Sequence, residues 1–136
     1  MIAVIDTSAM MRLFIPDGPV PQGLEVFFQG VESGRNMALA PELLMAEAAS
    51  VIHKKRRLGL LSDTEGALLL ADVLRMPIRL FSHPPLLPMA FELAGQYSLT
   101  VYDSLYLALA AQKGADIFSA DANMAKAALS MGMASA

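Results

Sequence analysis

The feature that most constrains the fold is the first apolar run, residues 2–5 (Ile-Ala-Val-Ile), which ends directly at Asp6. A short run in which every side chain is apolar is typical of a strand buried on both faces. Similar short runs follow at residues 36–40, 78–81 and 117–119, and longer segments with helical spacing of apolar residues separate them. Short buried strands that alternate with helices predict βαβ units around a parallel sheet.

The segments between these runs predict helices whose ends are marked by capping residues, glycine and proline. Ser62 and Glu65 form a predicted capping box, Gly114 is a predicted C-terminal cap, and Pro41 is expected to open the longest helix. Two of the helices, within residues 42–75, are expected to form a hairpin on one side of the sheet. The predicted helices cover residues 9–14, 22–33, 41–57, 62–75, 86–97, 103–112 and 122–130.

Composition places the chain among globular proteins. Its 136 residues suit a single domain over 1–136, and 55% hydrophobic with 17% charged residues is too apolar for a disordered chain. No apolar run is long enough to span a membrane, and the N-terminus lacks the basic region of a signal peptide. We therefore expect a cytoplasmic protein without membrane contact. Because the chain has no cysteine and two histidines, oxygen atoms are the main donors available to any metal.

Three acidic residues stand where predicted strands end or helices begin. Asp6 follows the first strand, Asp121 lies two residues after the run 117–119, and Asp103 opens a helix that is apolar almost all round. Ligand sites of parallel sheets lie beyond the carboxyl ends of the strands, which makes Asp6 and Asp121 candidate site residues. Each of the three acids is also explained as a helix N-cap, a position that Asp often occupies.

Glu47 is a fourth candidate because it falls on an apolar face of the predicted helix 41–57. It lies four residues after Leu43 and four before Val51, so the three side chains share that face. A buried carboxylate is costly unless it is paired, protonated or bound to a metal. A partner Arg or Lys from elsewhere in the chain is the alternative explanation. Four carboxylates together suit Mg²⁺ or Mn²⁺ and metal-assisted hydrolysis of phosphodiesters.

A basic run follows Glu47 on the same predicted helix. It holds four of the ten cations of the chain, in an acidic protein of net charge −3. Such a run can bind RNA phosphates, or it can form a solvated helix end whose charges complement the helix dipole. The two explanations are compatible. The residues are Lys54, Lys55, Arg56 and Arg57.

Four segments, taken in order, resemble the PIN-domain ribonucleases and, among them, the VapC-like toxins of toxin–antitoxin pairs. The segment around Asp103, with the pattern Tyr-Asp-x-x-Tyr-Leu-Ala-Leu-Ala, is the most specific of the four. The resemblance implies a three-layer α/β/α fold around a central parallel sheet of about four or five short strands. The matching segments are residues 4–9, 40–47, 100–110 and 118–121.

The same resemblance implies an endoribonuclease that uses Mg²⁺ or Mn²⁺, binds a cognate antitoxin protein and forms a homodimer. Residues 131–136 lack the apolar run of the family's final strand, so that strand is expected to be weak, absent or truncated. The alternative is a non-catalytic PIN-like module that binds RNA or protein; such a module is expected to have lost acids, whereas all four are present here. Implied as catalytic and metal-binding are Asp6, Glu47, Asp103 and Asp121, with Thr7, Ser8 and Ser119 in support.

Overall fold

An all-parallel, four-stranded sheet lies at the centre of the computed structural model, which describes residues 1–133. The strand order is β3-β2-β1-β4, so β1 is flanked by a strand on each side. In the register, Val4 of β1 lies opposite Leu39 on one side and Ile117 on the other. The strands are Ile2–Ile5 (β1), Met37–Pro41 (β2), Ile78–Phe81 (β3) and Asp116–Phe118 (β4).

Seven helices in the described part of the chain flank this sheet, which confirms the predicted α/β architecture. The helices α3 and α4 contact each other as the expected hairpin, and α6 packs against β1 and β2. The helices are Thr7–Arg12 (α1), Leu24–Glu32 (α2), Leu43–Arg57 (α3), Asp63–Leu74 (α4), Leu87–Tyr97 (α5), Val101–Lys113 (α6) and Ala122–Ser130 (α7).

The core is built around β1 and α6. Three consecutive residues of β1, from Ala3 to Ile5, are fully buried, as expected for a strand covered on both faces. Helix α6 is buried without interruption over residues 104–110, which agrees with its nearly uniform apolar sequence. The site residues that follow β1 or lie on α6 are therefore attached to the most rigidly packed part of the molecule.

Several helix starts differ from the sequence prediction by one or two residues, and two of these differences have a clear local cause. Pro41 does not open α3; it is the last residue of β2, opposite Phe81. A proline is tolerated there because the next ladder bond to β3 is donated by the N–H of Glu42, at 2.9 Å. Helix α6 begins at Val101 rather than at Asp103, because the Thr100 hydroxyl accepts the Asp103 N–H at 3.0 Å and is the N-cap.

The predicted caps are confirmed elsewhere. Ser62 and Glu65 bond reciprocally at the start of α4, and Gly114 ends α6 in the left-handed conformation, with φ of 58°. After α7 the chain turns at residues 131–132. The expectation for a final strand also covers residues 134–136, which lie outside the described residues. Within residues 1–133, no helix combines the length and the hydropathy needed to cross a membrane.

Candidate active site

A cleft of about 660 Å³ opens beyond the carboxyl ends of β1 and β4 and is bordered by α1, α3 and α6. All four acids predicted from the sequence line it. Asp6 and Asp121 follow the two strands, Glu47 comes from α3, and Asp103 comes from the first turn of α6. The parallel topology brings these residues together because it places strand ends and helix starts at one edge of the sheet.

Asp6 is both a helix cap and a buried wall residue of the cleft. Its Oδ1 accepts the Ala9 N–H at 2.9 Å, which caps α1, and the Ser8 hydroxyl at 2.7 Å. The side chain is buried, with 4% exposure. Burial raises the pKa of Asp6 from 3.8 to about 6, even though hydrogen bonds from Ser119, Ala9 and Ser8 oppose the rise, and the charge of Asp121 adds to it.

Asp121 is the N-cap of α7 and is exposed to solvent. Its Oδ1 accepts the backbone N–H groups of Asn123, at 2.8 Å, and Met124, at 3.0 Å. Asp121 is therefore both a helix N-cap and a residue that lines the cleft, as is Asp6. One oxygen of the carboxylate caps the helix while the group still lines the cleft.

Ser8 and Ser119 brace the backbone between these two acids. The Ser8 hydroxyl accepts the Ala120 N–H at 2.8 Å, and the Ser119 hydroxyl accepts the Asp121 N–H at 3.0 Å. The two hydroxyls are 3.4 Å apart. They thereby connect the start of α1 to the loop after β4 and hold Asp6 and Asp121 at one end of the cleft.

Asp103 is half-buried in the first turn of α6, with its own N–H bonded to Thr100. Burial raises the pKa of the Asp103 carboxyl, and the charges of Asp121 and Glu47 raise it further. Like charges perturb one another only when they are close together. Asp103 therefore lines the same cleft as Asp121 and Glu47, and their charges favour its protonated form.

Glu47 is stabilised by two hydroxyl groups rather than by a cation. Its Oε1 accepts the Thr7 hydroxyl at 2.7 Å and the Tyr106 hydroxyl at 2.6 Å, and these two hydroxyls are 2.9 Å apart. Within residues 1–133 no Arg or Lys forms an ion pair with Glu47. The other oxygen, Oε2, accepts no hydrogen bond from the described residues.

The face of α3 that carries Glu47 lies at the boundary between the core and the cleft. The buried residues of the helix are Leu44, Ala48 and Ile52, whereas the predicted stripe partners Leu43 and Val51 are half-buried beside the acid. The predicted apolar stripe is confirmed at Leu44, Ala48 and Ile52, which are buried. Leu43 and Val51 lie at the edge of that stripe, half-buried against the core, and line the cleft beside Glu47. The rotation of α3 directs a half-apolar face towards the open cleft.

Tyr106 is a site residue that the sequence analysis did not single out. Its ring is buried in the core, with 1% exposure, while its hydroxyl reaches the cleft. Burial and the bond to Glu47 raise the pKa of the Tyr106 hydroxyl, so the group keeps its proton and acts as a donor. A tyrosine inside a nearly uniform apolar helix is the available signal, because a buried phenol requires a polar partner.

The basic run at the end of α3 lies outside the wall of the cleft. Lys55 pairs with Asp17 at 2.7 Å, and Arg56 lies 3.8 Å from Asp63. Lys54 and Arg57 are exposed. The cation that does line the cleft is Arg12, at the end of α1, which the sequence analysis also did not single out.

The donor chemistry of the cleft suits a hard divalent cation. In residues 1–133, no three acidic or histidine side chains are grouped closely enough to hold a metal ion in the arrangement described here. The cleft nevertheless carries five carboxylates, the four predicted acids and Asp17, and the pKa of two of them, Asp6 and Asp103, is raised by burial and by neighbouring negative charge. Oxygen donors of this kind are those that Mg²⁺ and Mn²⁺ prefer.

Several known proteins are similar to this chain. It is 29% identical over 128 residues to ribonuclease VapC3 of Pyrobaculum aerophilum, which covers 93% of this chain and 94% of the relative. The crystal structure of PAE2754 from the same organism superimposes with a TM-score of 0.69 at 22% identity, over 93% of this chain and 87% of that one. VapC20 of Mycobacterium tuberculosis, described as a toxin that cleaves the sarcin–ricin loop, gives 0.64 at 18% identity, over 92% and 94%.

The two structural likenesses confirm the fold, including the central parallel sheet and the flanking helices. The family model of the PIN domain matches residues 3–129, a range that contains β1 to β4 and the four predicted acids of the cleft. From the match over nearly the whole described structure we conclude that this chain belongs to the PIN-domain family.

Proposed function

We propose that the protein is an endoribonuclease dependent on Mg²⁺ or Mn²⁺, and that it is the toxin of a toxin–antitoxin pair. The observation that carries the proposal is the arrangement of Asp6, Glu47, Asp103 and Asp121 around one cleft. The names of two relatives support the same activity, since one is a ribonuclease and the other an RNA-cleaving toxin.

Asp6 and Asp103 would anchor the metal ion, because Asp6 is buried directly after β1 and Asp103 lies in the first turn of α6, which is buried in the core. Glu47 would complete the ligand set or hold a coordinated water, and Asp121 would act from outside the ligand set or at a second site. Bound there, a divalent cation supplies the charge that polarises a phosphoryl oxygen and lowers the pKa of a water molecule.

The residues of the chain set the position of these carboxylates. Ser8 and the Ala9 N–H hold Oδ1 of Asp6, and Thr7 and Tyr106 hold Oε1 of Glu47. Preorganised groups of this kind contribute to catalysis because they need not reorganise during the reaction. The carboxylates alone would repel an anionic phosphodiester, so the charge of the cleft fits the substrate only together with a cation.

An antitoxin, a homodimer and a cytoplasmic location belong to the same proposal. The apolar composition of the chain leaves several large apolar side chains exposed, among them Val26 on α2, Leu60 after α3 and Phe91 on α5. The resemblance to the toxins of toxin–antitoxin pairs supports the partner, and these exposed side chains are available to a partner surface. The alternative of a non-catalytic module is disfavoured because the four acids are not merely present but line one cleft.

Incubation of the purified protein with a mixed pool of single-stranded RNA tests the activity. Cleavage should require Mg²⁺ or Mn²⁺, stop in EDTA and return with Mn²⁺. Asp6→Asn and Asp103→Asn should each lower the rate at least about a hundredfold, the scale seen when one preorganised electrostatic group is removed. Glu32→Gln, at the end of α2 and exposed, is the matched control that removes one carboxylate elsewhere.

Cleavage that persists in EDTA, or that is undiminished in Asp103→Asn, would show that the metal mechanism is wrong. A protein that binds RNA but cleaves none of it in Mn²⁺ would favour the non-catalytic module.

A further inference from the structure

Arg12 is the only cation in the cleft wall among the described residues, in a wall that also carries five carboxylates. Its guanidinium forms no ion pair with any carboxylate of residues 1–133. Instead, Nη1 donates a hydrogen bond to the carbonyl oxygen of Pro19, at 3.1 Å. A guanidinium has five N–H donors, so most of those of Arg12 remain available.

The backbone of the turn after α1 determines where this guanidinium lies. A Cβ atom at Gly18 would be 2.0 Å from Nη1 of Arg12 and 2.6 Å from its Cζ, which shows that the guanidinium lies directly against the glycine. Any side chain at position 18 would take this space. The guanidinium of Arg12 therefore lies in a seat that consists of the free space beside Gly18 and the carbonyl oxygen of Pro19. This seat contains no negative charge.

The turn itself is attached to α3. Asp17 pairs with Lys55 at 2.7 Å, and the Asp17 N–H donates to the Ile15 carbonyl at 2.9 Å. The ion pair neutralises the charge of Lys55, one of the cations predicted to bind RNA. It also connects the turn to α3. The charge of Arg12 is left unpaired at the wall of the cleft.

An RNA strand brings several phosphates to the site, and the cleft wall repels all of them except where a cation compensates. Arginine binds phosphate with two parallel N–H···O bonds and is favoured wherever planar recognition of phosphate is needed. We propose that Arg12 binds a backbone phosphate of the RNA, adjacent to the one that is cleaved. This inference rests on the proposed ribonuclease function and assigns the contact to Arg12 rather than to the run at residues 54–57.

The test uses Arg12→Gln, which removes the charge but keeps an amide donor for the Pro19 carbonyl. Binding of a short fluorescein-labelled single-stranded RNA of mixed sequence is measured by anisotropy over a range of KCl concentrations, with Asp103→Asn in every protein to prevent cleavage. We expect about tenfold weaker binding, the lower end for a hydrogen bond to a charged group. The slope of log affinity against log salt should fall by about 0.7, the value for one phosphate contact on a single strand.

Two matched variants separate the contact from a general charge effect. Arg12→Lys keeps the charge and should keep the salt slope. Arg35→Gln removes the same charge from an exposed position just before β2. This position lies at the amino ends of the strands, whereas the cleft lies beyond their carboxyl ends, so the variant should bind RNA like the parent protein. Equal affinity and equal slope in Arg12→Gln and Arg35→Gln would overturn the inference.

Gly18→Ala provides a third variant in which every charge remains. Its methyl group displaces only the flexible end of the Arg12 side chain, so the fold is retained and the seat is lost. We expect weaker RNA binding here too. If Arg12→Gln does not fold, as judged from its thermal midpoint, Gly18→Ala decides the question, and unchanged binding overturns the inference.

Failure of this inference can be distinguished from failure of the proposed function. In proteins that retain Asp103, Arg12→Gln should raise KM about tenfold with kcat little changed, because a contact made equally in the ground state and the transition state is lost. A wild-type protein that cleaves RNA while Arg12→Gln keeps the same KM refutes the role of Arg12 alone. A wild-type protein that cleaves no RNA refutes the function.

Discussion

Asp6→Asn should stabilise the metal-free protein at neutral and higher pH while it removes activity. The Asp6 carboxyl is buried, and burial raises its pKa from 3.8 to about 6. The folded state therefore binds this proton more tightly than the unfolded state does. Asparagine removes the charge, and its Oδ1 can still accept the bonds from Ser8 and the Ala9 N–H.

The magnitude follows from the pKa difference. A shift from 3.8 to about 6 is about 2 units, and each unit corresponds to about 1.4 kcal/mol, so the charged carboxylate costs the fold about 3 kcal/mol. Below the unfolded pKa the carboxyl is protonated in both states and costs nothing. Between the two pKa values the unfolded state releases the proton first, so the stability of the wild type falls as the pH rises, and the full cost persists above about pH 6.

Urea unfolding in EDTA, at a series of pH values from about 4 to about 8, measures this difference. Asp6→Asn should exceed the wild type by about 3 kcal/mol at the upper end, and the gap should narrow towards the lower end. Glu65→Gln is a control of opposite sign, because bonds from Ser62 lower the pKa of Glu65 and this carboxylate stabilises the fold at neutral pH. An Asp6→Asn protein no more stable than the wild type at the upper end, or a gap that widens as the pH falls, would refute the reasoning.

Two further predictions concern the site and the assembly. Tyr106→Phe removes one of the two donors to Oε1 of Glu47 and should lower RNA cleavage or Mn²⁺ affinity about 10–100-fold, the range for groups that orient metal ligands. A Mn²⁺ titration of cleavage measures this loss, and an unchanged titration would show that the Thr7 hydroxyl alone orients Glu47. The proposed homodimer should persist at micromolar concentration in light scattering, and a monomer at that concentration would contradict it.

Much of the fold follows from local sequence rules. Residues 3–5 are buried on both faces because the run has no polar side chain to place on a solvated face, whereas Ile2 at the start of β1 is exposed, and Asp6 ends the strand because it is a good helix cap. Four parallel strands are observed in the described residues, within the predicted four or five. The convergence of the acids was also predictable, since parallel strands bring their carboxyl ends to one edge.

The features that the sequence did not predict depend on contacts between distant segments. The apolar sequence around Tyr106 predicts a core residue, and its hydrogen-bond partner Glu47 is 59 positions away in the chain. The sequence predicts an ordinary cation at a helix end for Arg12. Its position is set by the backbone at residues 18–19, and a backbone contact leaves no signal in the side chains. The start of α6 was misplaced because Thr100 and Asp103 are both good caps, and the choice between them depends on how α6 packs in the core.

A carboxylate in this fold can cap a helix and also line the site, because capping uses only one of its two oxygens. Oδ1 of Asp121 accepts two backbone N–H groups, and the described residues give its second oxygen no hydrogen bond. Glu47 repeats the pattern with two hydroxyls on Oε1. Hydrogen bonds to one oxygen orient each of these carboxylates. The other oxygen keeps the capacity to accept a bond from a ligand. Burial and neighbouring negative charge raise the pKa of Asp6 and Asp103, and a divalent cation in the cleft would oppose that rise.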